Sequence, residues 1–335
     1  MAEAGNLVFL IRAMGAVIIQ TEADRNTLHI QRLGENLHEA ALLTVASLLF
    51  SVSKGISIIN CTCPRSTLTG TKVLNQFKLF DSHFHVIDGR FPLVPNKGYI
   101  PEEFTCEDYL ERTSTYDLCG GAIVSGSFQA FDQGYLVQAL EKMGASFVGV
   151  TQLPATVSDD EIIRLNKCGV RALRFNLRRG GSAGVAHLTS MARRIHELAG
   201  WHVELYIDSR ELEDLYTTLV ELSSVSIDHL GLSKSGLGLL TKLAETGVRI
   251  KATGFGRLDF DVRGAIRDLY AANPDSLMFG TDLPSTRAPA PYTDNDFMLV
   301  ADALDPEAAK AVFSGNAIAF YKPRRVHKFL KPILG

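Results

Sequence analysis

From residue 77 onward the chain alternates short apolar or β-branched runs with amphipathic stretches, and this constrains its fold more than any other feature. Strand-like runs fall at 79–85, 121–125, 146–151, 170–175, 202–207, 225–229, 249–253 and 277–280. Between them lie helical patterns such as GYLVQALEKMG, DDEIIRLNKCG, AHLTSMARRIHELAG and SRELEDLYTTLVELS. Gly144, Gly169, Gly200 and Gly247 stand where helices should stop, because glycine adopts the left-handed conformation that closes a helix. Strand–helix alternation predicts a parallel sheet whose strands are joined by crossover helices. Eight such units in about 250 residues is the size of a (β/α)8 barrel, the TIM-barrel form of the α/β class. The rival is an open doubly wound sheet. Its nucleotide-binding version lacks support, because no G-x-G-x-x-G follows an early strand.

The 335 residues allow one large domain or two ordinary ones. The chain is 46% apolar and 21% charged, which fits a soluble globular protein. A net charge of −3 gives no case for a nucleic-acid or anionic-membrane partner. Five cysteines, scattered apart from Cys61 and Cys63 and without a C-x-x-C pair, argue against a disulfide framework or a structural zinc site. A reducing, cytoplasmic setting follows. Residues 1–76 lack the later alternation. Their uncharged run at 40–53 is shorter than the roughly 18–20 residues of a membrane span and starts too far along the chain for an ordinary signal peptide. The expected organisation is therefore a non-barrel N-terminal extension (1–76), poorly ordered or loosely packed, then a barrel (77–325) and a solvated basic tail (326–335).

The segment FDSHFH sets Asp81, His83 and His85 on alternate positions. Side chains of a strand alternate between faces, so all three should point one way. Two imidazoles so placed can meet one metal ion or one substrate oxygen. H-x-H alone is a weak signal, but a barrel carries its active site at the C-terminal ends of its strands. Those ends are polar here: Arg174 and Asn176 in RALRFN, His229 in SIDHLG, Arg257 in TGFGR and Asp282 in MFGTD. A carboxylate among histidines suits a general base for water, which assigns Asp282. His83, His85 and His229, or a metal they hold, would polarise a carbonyl. His83, His85 and Asp282 could give zinc three ligands and leave a place for water. Arg174, Arg178, Arg179 and Arg257 cluster near the mouth and suit carboxylates, so a small anionic substrate is expected. One of Arg178 and Arg179 should face solvent. Ser125 and Ser127 could add hydrogen bonds, and Lys251, in mid-strand, should make a buried polar contact.

FDSHFHVID, GVRALRFNL, IDHLG, IKATGFGR and MFGTDLP, in that order, resemble the amidohydrolase superfamily, and within it the amidohydrolase-related branch that includes 2-pyrone-4,6-dicarboxylate hydrolase and sugar lactonases. AAKAVFSGNAIAFY resembles that group's last helix, and the likeness covers 77–321. The resemblance implies a distorted TIM barrel with hydrolytic chemistry at its mouth. His83 and His85 match the first-strand pair, His229 the sixth-strand histidine, and Asp282 the eighth-strand aspartate that activates water. Tyr206 stands where many relatives carry a fifth-strand histidine. No lysine ends the fourth strand, so a carbamate-bridged two-metal centre is not implied. One divalent metal, zinc for preference, or none is the expectation, since some members of the branch open lactones without metal. The reading is a hydrolase of a lactone or ester in a small carboxylated substrate, Tyr206 joining its binding residues, with a homo-oligomer left open. The alternatives are a metal-dependent decarboxylase of the same superfamily, separable by product and metal analysis, and a non-catalytic ligand-binding barrel.

Overall fold

The computed structural model describes residues 74–324 and, upstream, three strands. These are β1 (Phe9–Leu10), β2 (Val17–Thr21) and β3 (Leu28–Arg32), which pair antiparallel in that order. The chain divides into two compact units, Met1–Ser66 and Thr67–Gly335. The uncharged run 40–53 and the basic tail 326–335 lie outside the described residues. Among the described residues no helix is long and apolar enough to cross a membrane.

In the second unit eight strands follow one another in one parallel sheet. They are β4 (Lys78–Phe84), β5 (Asp117–Val124), β6 (Phe147–Thr151), β7 (Val170–Phe175), β8 (His202–Leu205), β9 (Val225–Ile227), β10 (Arg249–Ala252) and β11 (Leu277–Phe279). All eight strand-like runs of the sequence are therefore strands, most of them a residue or two shorter at the C-terminal end. The last strand returns to the first. Asp282 N–H donates to the His83 carbonyl at 2.7 Å and His85 N–H to the Leu283 carbonyl at 2.8 Å, which nearly closes a barrel.

Strands of such a barrel are covered on both faces, so they read as apolar runs with little polar alternation. Outward side chains such as Leu173, Val203, Ile227 and Ile250 join the main core beneath the helices. Inward ones such as Val148, Val150 and Ala172 form a second cluster with Phe80 and Tyr321, whose rings stack 5.8 Å apart. The small inward residues leave room for those rings and for three buried ionisable groups, Glu204, Asp228 and Lys251.

The helices obey local rules. α1 (Cys106–Arg112) opens on a capping box of Thr105 and Asp108. α2 (Gly134–Met143), α3 (Asp159–Cys168) and α4 (Leu188–Ala199) each end on the expected glycine, at Gly144, Gly169 and Gly200. The stretch SRELEDLYTTLVELS departs from its expected single helix. It forms turns at Ser209–Glu211 and Glu213–Leu215 and then a short α5 (Tyr216–Glu221). Asp208 caps the first turn, and Ser209 Oγ donates to the Ser233 carbonyl at 2.9 Å, holding the start away from a helical path. β-Branched Thr217, Thr218 and Val220 weaken the helix that remains. α6 (Leu237–Glu245), α7 (Val262–Ala272) and α8 (Asp294–Ala303) complete the outer layer. α9 (Pro306–Lys310) runs through a π-turn into α10 (Asn316–Tyr321), which carries Tyr321 to the ring of Phe80.

Asp305 caps α9, its carboxylate accepting from the N–H groups of Glu307 and Ala308. Asp305→Ala is expected to cost about 1 kcal/mol, the usual value of a side-chain N-cap. Urea unfolding of the two proteins measures it, and an unchanged midpoint would show that the cap adds nothing to global stability.

Candidate active site

The C-terminal ends of the strands bring the expected residues together. His83 lies in β4 and His85 just beyond it, His229 opens the turn after β9, and Asp282 stands three residues past β11. His229 and Asp282 have left-handed backbones, with φ of 51° and 60°. Such conformations are costly for residues with a side chain and persist where the surroundings impose them, often at functional sites. Two glycines permit the close approach. A Cβ on Gly254 would fall 2.7 Å from His229 Nδ1, and one on Gly280 would fall 2.6 Å from His83 N.

The three imidazoles converge on one oxygen. His83 Nε2 and His85 Nε2 each lie 3.8 Å from Asp282 Oδ1, and His229 Nε2 lies 4.0 Å from it. The other oxygen, Oδ2, accepts two contacts from Arg257, at 2.9 and 2.7 Å. His85 Nδ1 donates to the Val124 carbonyl at 2.7 Å, so its Nε2 is bare. His229 Nδ1 is held by Thr253 Oγ1 at 2.7 Å. Burial lowers the pKa of His83, against the pull of Asp228. Burial, reinforced by neighbouring positive charge, takes His85 and His229 well below 6.5. All three are therefore neutral near pH 7.

Asp282 Oδ1 and His83 Nε2 are buried and have no hydrogen-bond partner among the described residues. Buried polar atoms are costly unless something meets them. A cation is one solution, since the donor atoms of His83, His85 and Asp282 lie within 4.8 Å of one another. Ligands about 2.0–2.2 Å from zinc need these atoms to draw closer together than they stand. His85 and Asp282 offer the lone pairs such an ion needs. His83 offers one when its proton is on Nδ1.

Beneath the site lies a buried ionic lattice. Arg174 forks onto Asp228 Oδ2 through Nε and Nη2, at 3.1 and 2.8 Å, and its Nη1 donates to the Ser125 carbonyl at 2.8 Å. Lys251 Nζ donates to Glu204 Oε2 at 2.5 Å and lies 3.3 Å from His83 Nδ1 and 3.5 Å from Asp228 Oδ1. Glu204 Oε1 also accepts from Tyr321. Burial works against both carboxylates, but cationic neighbours outweigh it. Arg174 and Lys251 hold Asp228 well below the usual range, and Lys251 with His202 holds Glu204 at about 2. The buried contact expected of Lys251 is thus present. Asp228 and Glu204 are additions that the sequence reading missed, although a charge inside an apolar strand is itself a signal.

The cavity above holds about 320 Å³ of empty space, its open mouth included. Of the expected residues it is lined by His85, Ser127, Arg174, Asn176, Tyr206, His229, Arg257 and Asp282. Four others are not on its wall, and His83, fully buried, is one of them. Arg178 is exposed, and it is Arg179 that turns inward, as expected of one of the two. Ser125 directs its hydroxyl at Tyr135, 2.5 Å away. Asp81 does not share the face of the histidines: its carboxylate accepts from Thr281, Tyr109 and the backbone N–H of His83. Register shifts around 80 and 81–84 break the strict alternation of β4. Arg287, from the loop after β11, was not anticipated. It lines the mouth, donates to Ser127 and Asn96, and lies 4.6 Å over the ring of Tyr99.

Histidines at the first and sixth strands of an eight-stranded parallel barrel and an aspartate after its eighth stand where such barrels carry their active sites. The family profile described as amidohydrolase matches residues 80–322. The chain belongs to the amidohydrolase family. It is 29% identical over 165 residues to the 2-pyrone-4,6-dicarboxylate hydrolase of Comamonas testosteroni, covering 47% of this chain and 54% of that one. The chain thus spans about half the length of that relative. It is 26% identical over 226 residues to the 4-sulfomuconolactone hydrolase of Rhizobium radiobacter, covering 61% of this chain and 75% of that one. A crystal structure from Pseudomonas putida, described as a 2-pyrone-4,6-dicarboxylic acid hydrolase, superposes with a TM-score of 0.63 at 26% identity, over 73% of this chain and 97% of that one.

Proposed function

We propose that the protein is a hydrolase that opens the ring ester of a small carboxylated lactone. The observation that carries this reading is the meeting of three neutral imidazoles on one oxygen of Asp282, under a mouth where Arg179 and Arg287 have no acidic partner among the described residues. Asp282 takes a proton from water as the water attacks the ring carbonyl. An imidazole with its proton on Nε2 faces the oxygen where negative charge develops. The bond from the carbonyl carbon to the ring oxygen breaks, and the proton held by Asp282 passes to the departing oxygen. Arg179 and Arg287 hold the carboxylates of the substrate, while Tyr206 and Asn176 shape the wall. A divalent ion held by His83, His85 and Asp282 would supply Lewis-acid polarisation of the carbonyl and a more acidic water. The activities for which the relatives are named, hydrolysis of a pyrone dicarboxylate and of a sulfomuconolactone, support an anionic lactone as substrate. The proposed setting is the cytoplasm, in keeping with the free thiols of Cys106, Cys119 and Cys168.

The test is a screen of carboxylated lactones against the purified protein, following loss of the ring chromophore and identifying the product. A ring-opened acid supports the reading, and release of carbon dioxide overturns it in favour of decarboxylation. Arg287→Met should raise KM for carboxylated substrates roughly tenfold to a hundredfold, the worth of about 1.5–3 kcal/mol for a hydrogen bond to a charged group. Uncharged analogues should be spared. Equal losses on both would remove Arg287 from substrate recognition.

A further inference from the structure

We infer that Lys251 is a positioning residue that keeps the proton of His83 on Nε2, so that His83 acts as a hydrogen-bond donor while His85 acts as an acceptor. His83 Nδ1 has two polar neighbours at the same distance. Asp228 Oδ1 and Lys251 Nζ each lie 3.3 Å away, and they call for opposite tautomers. Direction separates them. Lys251 Nζ, which can only donate, stands within hydrogen-bond geometry of Nδ1, whereas Asp228 Oδ1, near enough to attract a ring N–H, makes at best a poor hydrogen bond with it. Lys251 has little freedom to leave. It is fully buried, anchored by Glu204, and lies 5.7 Å from the centre of the Tyr321 ring. A lone pair at Nδ1 puts the single proton of the neutral ring on Nε2.

That proton faces Asp282 Oδ1 across 3.8 Å, and neither atom has another partner among the described residues. A water oxygen set between them can sit about 2.8 Å from each, accepting from His83 and donating to Asp282. His85 is held in the opposite tautomer by the Val124 carbonyl. The two histidines of one H-x-H therefore divide the work. His83 donates to an oxygen in the site, and His85 and Asp282 accept hydrogen bonds from the attacking water, whose proton goes to Asp282. Binding a cation through His83 would require the other tautomer and the loss of the Lys251 hydrogen bond. The identity of the reacting oxygen rests on the hydrolase reading, but the tautomer does not.

The experiment uses protein with ¹⁵N-labelled histidine and a two-bond ¹H–¹⁵N correlation spectrum, the His83 signals being assigned by their loss in His83→Gln. The parent should show protonated Nε2 at His83 and protonated Nδ1 at His85. Lys251→Met with Glu204→Gln removes one charge of each sign, keeping the interior neutral. In this double variant His83 should switch to protonated Nδ1, kcat should fall roughly tenfold to a hundredfold as for other outer hydrogen-bond partners, and KM should hold. Glu204→Gln alone retains the lysine and should keep the parent tautomer. Protonated Nδ1 at His83 in the parent overturns the proposal, even if no variant folds. So does protonated Nε2 persisting in the double variant. If no lactone is turned over, the hydrolase reading fails while the spectra still decide the role of Lys251.

Discussion

Asp282→Asn is expected to lower kcat by about 10²–10⁴-fold, the range for loss of general-base help. Asn has nearly the same shape and keeps an oxygen for Arg257, but it has no basic oxygen to face the three Nε2 atoms that now lie 3.8–4.0 Å away. The backbone of this residue is left-handed, which Asn tolerates better than most residues. The fold should therefore survive, and a thermal unfolding curve close to that of the parent would separate lost chemistry from lost structure. The measurement is steady-state turnover on whichever lactone the screen identifies. Near-normal turnover would remove Asp282 as the base.

Arg174→Met is expected to act on stability first. From sequence, Arg174 reads as a grip on the substrate, which would raise KM for charged substrates alone. Its guanidinium is instead engaged with Asp228 and the Ser125 carbonyl, and only 3% of its surface is exposed. Removing it strands a buried carboxylate, for which about 3–5 kcal/mol is the usual cost. Turnover of charged and neutral substrates should fall together. Arg174→Met with Asp228→Leu removes both charges and leaves Lys251 its Glu204 partner, so it should recover much of the loss. Urea unfolding of the single and double variants measures this. A stable Arg174→Met protein with a defect confined to carboxylated substrates would return Arg174 to the role read from sequence.

The barrel was legible because its strands are covered on both sides and stand out as apolar runs between amphipathic ones. The catalytic candidates were legible because the strands end in them. What escaped depends on departures from regular geometry. Asp228 precedes His229, and strict alternation would send them to opposite faces. The left-handed backbone at His229 lets the aspartate reach under His83 while the histidine faces the cavity. Asp81 was placed beside the histidines by the same alternation, which the irregular pairing of β4 with β5 breaks. Arg287 lies in the loop after β11, whose path is set by tertiary contacts to Ser127 and Asn96 rather than by a periodic pattern. For Arg178 and Arg179, sequence required that one face outward but could not choose which.

The ionic interior also bears on how such a chain can diverge. Arg174 with Asp228 and Lys251 with Glu204 match opposite charges across the barrel interior, each couple skipping one strand of the sheet. A single neutral replacement in either couple leaves its mate charged in a low-dielectric space, which weakens folding and is selected against. Divergence at these positions must therefore proceed by joint replacement, while the exposed rim, where Arg178 already faces water, is free to vary one residue at a time. New substrates would then be acquired at the rim, over an interior inherited in matched halves.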